Sequence, residues 1–98
     1  MKIIVVTGGF DPIHSGHIAY INEARKLGDL LVVGLNSDEW LTRKKGRAFM
    51  PWQERAAVLS AIHGVSRVEH FNDSDGSACD LLEIIKRQFP YATIIFAN

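Results

Sequence analysis

Ile3-Ile4-Val5-Val6-Thr7-Gly8-Gly9-Phe10-Asp11-Pro12-Ile13-His14-Ser15-Gly16-His17 is the stretch from which the rest of the chain is read. The near-continuous apolar run Ile3–Val6 has the character of a strand covered on both faces, as in a parallel sheet. A helical pattern follows, so residues 7–17 occupy the first strand-to-helix crossing of an α/β unit, where open sheets place their ligand crevice. Gly8 and Gly9 admit a close backbone approach, and Asp11-Pro12 is a turn signal. His14 and His17 stand three residues apart, which brings both rings to one side of a helix's first turn. Backbone N–H groups left unpaired at that helix start attract phosphate.

Working outward, the first helix is expected over about Ser15 to Leu27, with Ile18, Ile21, Ala24 and Leu27 inward and Gly28 ending it. Leu30–Leu35 reads as a second buried strand, parallel to the first because a helical crossover separates them. Ser37 caps a short helix with Asp38 and Glu39 in its first turn, and Trp40 either packs or lines a pocket. Arg43-Lys44-Lys45-Gly46-Arg47 gathers four cations in five positions of a chain whose eleven Lys/Arg and eleven Asp/Glu cancel. Such a cluster repels itself, and beside a polyphosphate the repulsion becomes complementarity; a loop carrying it would close on the ligand. Pro51 fits the first position of another helix, and Ser77 with Asp80 resembles a capping box for a later one. Ser66–Phe71 and Ala92–Ala97 are the third and fourth strands. The expected architecture is α/β, an open Rossmann-like parallel sheet of order 3-2-1-4 with helices on both faces.

Other chemistries fit poorly. The glycines lack G-x-G-x-x-G spacing, and no lysine follows a phosphate loop in the P-loop manner. Asp11, His14 and His17 have no fourth conventional ligand nearby for zinc, so no protein-held metal is expected. The single Cys79 excludes an intrachain disulfide. A neutral chain with one short basic patch gives no reason to expect nucleic acid. The amino-terminal apolar run is too short for a signal peptide or a bilayer span, which makes a cytoplasmic protein with no membrane partner the expectation.

Gly9-Phe10-Asp11-Pro12-Ile13-His14-Ser15-Gly16-His17 resembles the signature of the H-x-G-H nucleotidyltransferase superfamily, nearest its cytidylyltransferase-like group. The likeness continues through Leu27-Gly28-Asp29, Asn36-Ser37-Asp38, Lys44-Lys45-Gly46 and Glu54-Arg55. It is similar to glycerol-3-phosphate cytidylyltransferases and to the adenylyltransferase domain that acts on heptose phosphate. The resemblance implies transfer of CMP or AMP from CTP or ATP, with Mg2+, to a phosphorylated small alcohol or sugar, releasing pyrophosphate. It implies His14, His17 and Lys44 as catalytic groups. Thr7, Gly8, Gly9, Phe10, Asp11, Gly16 and Arg55 would contact nucleotide or phosphate, and Asp38, Trp40 and Lys45 the substrate. It also implies a homodimer. His63 stands where some glycerol-phosphate enzymes have arginine, which leaves the acceptor open. The family's serine/threonine-rich phosphate motif has no counterpart before Asn98, so residues 1–98 are expected to form one domain truncated at its carboxyl end. The competing expectation is a nucleotide-binding or interaction module without catalysis.

Overall fold

The computed structural model describes residues 1–97, so the expectation about truncation at Asn98 lies outside the described residues. Lys2–Gly8 forms β1, Ser15–Arg25 α1, Leu30–Leu35 β2, Asp38–Lys45 α2, Trp52–Ser60 α3, Arg67–His70 β3, Cys79–Gln88 α4 and Thr93–Phe96 β4. The four strands make one sheet in the order β3-β2-β1-β4, every neighbouring pair parallel, as the pattern of apolar runs and helical crossovers predicts. Ile3 to Val6 are fully buried because β1 has a strand on each side and helices on each face.

Strand alternation divides the core in two. Ile4 and Val6 of β1 join Leu31, Val33 and Leu35 of β2 beneath Ile21 and Ala24 of α1 and Leu59 of α3. On the opposite face Ile3, Val5 and Val32 pack with Leu81 and Ile85 of α4 and with Phe71. The carboxyl ends of β1, β2 and β3 therefore deliver their loops to one rim.

Local expectations differ from the structure in four places. The first helix stops at Arg25, and Leu27 is exposed in the turn beyond it. Ile18 is also exposed, since it sits in the helical turn nearest the rim, past the strands that bury Ile21 and Ala24. Pro51 is the N-cap of α3, one position earlier than expected. The Ser77–Asp80 capping box does not form, because α4 begins at Cys79 and Asp80 instead accepts the N–H of Asn72 at 2.7 Å.

Candidate functional site

The β1–α1 loop is built around its two histidines. His14 is the N-cap of α1, and its Nδ1 accepts the N–H of Gly16 at 3.1 Å. The Nδ1 of His17 accepts the N–H of His14, also at 3.1 Å, which closes a reciprocal capping box made of imidazoles. A ring nitrogen that accepts a hydrogen bond carries no proton. Each neutral ring therefore bears its proton on Nε2 and has one N–H left to donate. The rings stack with centroids 3.9 Å apart, and Phe10 meets His17 edge-on at 5.0 Å. Burial, and then the proximity of His14, push the His17 pKa below its ordinary value, so the neutral donor form is favoured.

The glycines of this loop make room for those rings. A Cβ on Gly16 would stand 2.9 Å from the His14 ring, and one on Gly8 would stand 3.0 Å from the Phe10 ring. Phe10 itself is held at φ 49°, in the left-handed region, with its side chain buried. The expectation of open backbone donors at this helix start needs correction. The Gly16 and His17 N–H groups are satisfied by the Nδ1 and the carbonyl of His14 respectively, so of the first three helical residues the Ser15 N–H alone is left beside the imidazole N–H groups to meet an anion there.

Asp11 turns away from a ligand role. Its carboxylate accepts the N–H groups of Phe49 and Met50, each at 2.7 Å, and pairs with the Lys45 ammonium at 2.9 Å. Lys45 also donates to the Asp11 carbonyl. Burial pushes the Asp11 pKa up, but the Lys45 contact and the two backbone donors outweigh it, and the carboxyl titrates below its ordinary value.

Arg55 gives the clearest correction. Sequence reasoning puts its guanidinium on nucleotide phosphate, whereas the residue is fully buried. Its Nε donates to the Met50 carbonyl at 2.9 Å, and one terminal nitrogen donates to the carbonyls of Gly9 and Asn36, both at 2.8 Å. The other terminal nitrogen pairs with Asp38 at 2.5 Å. A planar fork with fixed donors suits the gathering of three loops around one point. The same contact engages one oxygen of Asp38, whose side chain is 43% exposed.

The cation cluster is not a loop. Arg43, Lys44 and Lys45 form the last turn of α2, where positive charge favours the helix dipole, and Gly46 ends the helix at φ 92°. Arg43 donates to the Asp73 carbonyl. Lys44 lies over the Trp40 ring at 4.6 Å and makes no ion pair among the described residues. Trp40 and Thr7 line a small cavity of about 100 Å³ with Asn36 and Phe71, and Trp40 with Lys44 lines the neighbouring depression beside Ser74–Gly76. A larger depression of about 660 Å³ lies at the other end of the sheet, along Asn22, Arg25 and His63, and holds none of the motif residues.

Sequence reasoning missed Asp73. The Asp73 carboxylate is buried and accepts from the Asn36 amide, the Ser37 N–H and the Ser37 hydroxyl at 3.1, 2.8 and 2.7 Å. Burial raises its pKa, but these donors outweigh burial and leave the carboxyl below its ordinary value. It fixes the turn from β2 into α2 from outside. Only the contact map of the folded chain could reveal that, since the partners lie 36 and 37 residues apart.

Residues 5–97 match the family described as cytidylyltransferase-like. The chain belongs to that family. Its curated relatives include the bifunctional protein HldE of Hahella chejuensis, 45% identical over 87 residues, which covers 87% of this chain and 18% of the relative. The bifunctional protein HldE of Syntrophotalea carbinolica is 47% identical over 75 residues, covering 74% of this chain and 15% of the relative. This chain thus spans less than a fifth of the length of these relatives. The fold is shared with the crystal structure of the lipopolysaccharide core biosynthesis protein from Thermoplasma volcanium. The TM-score is 0.73 at 24% identity, covering 100% of this chain and 97% of that one. Among the described residues no helix is long and apolar enough to cross a membrane.

Proposed function

We propose that this domain transfers CMP or AMP from CTP or ATP to a phosphorylated small alcohol or sugar. A phosphate oxygen of the acceptor attacks the α-phosphorus, the bond to the β-phosphate oxygen breaks, and pyrophosphate leaves. The acceptor is already an anion, so the task is to bring like charges together and stabilise the transferring phosphoryl group. The observation that carries this reading is the histidine pair, with both Nδ1 atoms engaged by backbone N–H groups at the carboxyl end of the central strand. That arrangement supports two oriented Nε2–H donors where charge redistributes in transfer.

Lys44 supplies the mobile positive charge for the triphosphate, Thr7 and Trp40 shape the adjoining cavity, and Gly8, Gly9 and Phe10 shape the loop. Mg2+ enters with the nucleotide, held by its phosphates. Asp11 and Asp73 already accept three donors each, which leaves them poor candidates for a protein-built metal cage. Identities of 42–47% with proteins named HldE favour a sugar-phosphate acceptor over glycerol phosphate, and a cytoplasmic homodimer completes the proposal. Exposed Ile95 and Phe96 on β4 offer it apolar surface.

Calorimetry with Mg-CTP and Mg-ATP, followed by pyrophosphate release over a panel of phosphorylated acceptors, tests this in the 98-residue chain and in any longer natural form. Turnover with one nucleotide and one acceptor class is the expected result. Tight nucleotide binding without turnover in the longer form would replace the enzyme with a binding module. Light scattering that finds only monomers over a wide concentration range removes the homodimer.

A further inference from the structure

Two basic residues of α2 sit side by side in sequence and in very different company. Lys44 lies over an aromatic ring, whereas Lys45 is 29% exposed and contacts a carboxylate whose own side chain is shielded from solvent. That carboxylate belongs to Asp11, within the loop between Phe10 and His14. Asp11 lies in the same loop as the histidine pair, so an uncompensated charge there would oppose the approach of a nucleotide triphosphate through space even though the carboxylate touches no ligand.

We propose that Lys45 is a positioning residue that neutralises Asp11, so that the Asp11 carboxylate can fasten segment 46–50 to the histidine loop without repelling the nucleotide. The inference rests on the nucleotidyl-transfer reading and divides the labour between neighbouring lysines. Lys44 meets the anion, and Lys45 cancels the charge of the protein's own clasp. The clasp has a reason to be charged, because a carboxylate accepts the Phe49 and Met50 N–H groups together, one on each oxygen. Phe49 adds a second layer, with Lys45 4.3 Å and Arg47 4.9 Å from its ring centre. Without Lys45 the two backbone donors still hold Asp11 ionised at neutral pH, and its charge is uncovered.

The decisive comparison is Lys45→Met against Asp11→Asn/Lys45→Met. Calorimetry with Mg-nucleotide should show the single variant binding about tenfold more weakly than wild type at low salt, the scale of one uncompensated charge near a polyanion. The double variant should recover to within about threefold, since the asparagine leaves no charge to cancel. Lys45→Arg should bind like wild type. A double variant as weak as Lys45→Met would overturn the proposal. So would undiminished binding by Lys45→Met. A second readout needs no nucleotide: the Asp11 carboxyl, followed by NMR titration, should shift upward in Lys45→Met, and an unchanged titration refutes the pairing. Wild-type protein that binds neither nucleotide removes the transfer reading, while the Asp11 titration still decides whether Lys45 neutralises the clasp.

Discussion

The β1–α1 loop and the segment from α2 into α3 both line the rim, and both are rich in groups that hydrogen-bond anions. They use those groups in opposite ways. In the β1–α1 loop the backbone occupies the Nδ1 side of each imidazole, so each ring's remaining donor faces no competing protein acceptor among the described contacts. In the α2–α3 segment Arg43, Lys45 and Arg55 make contacts to carbonyls and carboxylates of the protein itself, whereas Lys44 and Arg47 lie over aromatic rings. Cation count is therefore a poor guide to ligand contact. What decides is whether a donor has already been given a protein acceptor.

The sharpest way to break this contrast is to remove Arg55. If it is a tie between loops, Arg55→Met should destabilise the fold by about 3 kcal/mol, because buried carbonyls lose charged donors. The Asp38 partner is 43% exposed and regains water, which keeps the loss from being larger. Denaturant unfolding measures it; a stable variant with weakened nucleotide binding would return Arg55 to the phosphate.

Next in size is His17→Ala, expected to lower kcat by about 10²-fold or more, while nucleotide Kd changes by less than about tenfold. Pre-steady-state product formation combined with direct Kd measurement separates the two. Strongly weakened binding with intact chemistry would make His17 a ground-state ligand.

Lys44→Ala should weaken nucleotide binding by about tenfold and lower the stability by no more than about 1 kcal/mol, from the lost helix-end charge and ring contact, the reverse of Arg55→Met. Calorimetry and denaturation on the same two variants test the contrast directly.

The smallest effect concerns acid. Burial and His14 hold the His17 pKa below its unfolded value of 6.5, so the unfolded chain binds a proton first as pH falls. Stability should therefore decline as pH drops below about 6.5 toward the folded pKa, and be flat above it. His17→Gln should remove that slope. Asp73 acts in a lower window: its stabilisation is complete above the unfolded carboxyl pKa near 3.8 and disappears as pH falls through the depressed folded value.

The architecture was legible because its signals are local and repeated. Two apolar runs separated by a helix-length polar-apolar pattern leave few choices besides a parallel pair, and the strand order followed as expected. The histidine loop was legible too, since spacing alone brings His14 and His17 together. Their use as each other's cap was not, because an imidazole is an uncommon capping acceptor. Arg55, Lys45 and Asp73 could not be placed from sequence. Apart from Met50, five residues before Arg55, their partners lie from 17 to 46 residues away, and an arginine or lysine looks the same in one dimension whether it faces solvent or a buried carbonyl.

The strand order also sets a timetable for synthesis. β1 leaves the ribosome before β4, yet one of its two hydrogen-bonding edges is completed by β4, with Lys2 opposite Thr93. At ordinary elongation rates about 90 further residues take roughly 5–20 s to appear. Through that interval the apolar run Ile3–Val6 can pair with β2 alone, and its other edge is open to strands of neighbouring chains. A run that is fully buried in the finished protein thus waits for its cover until the last strand is made.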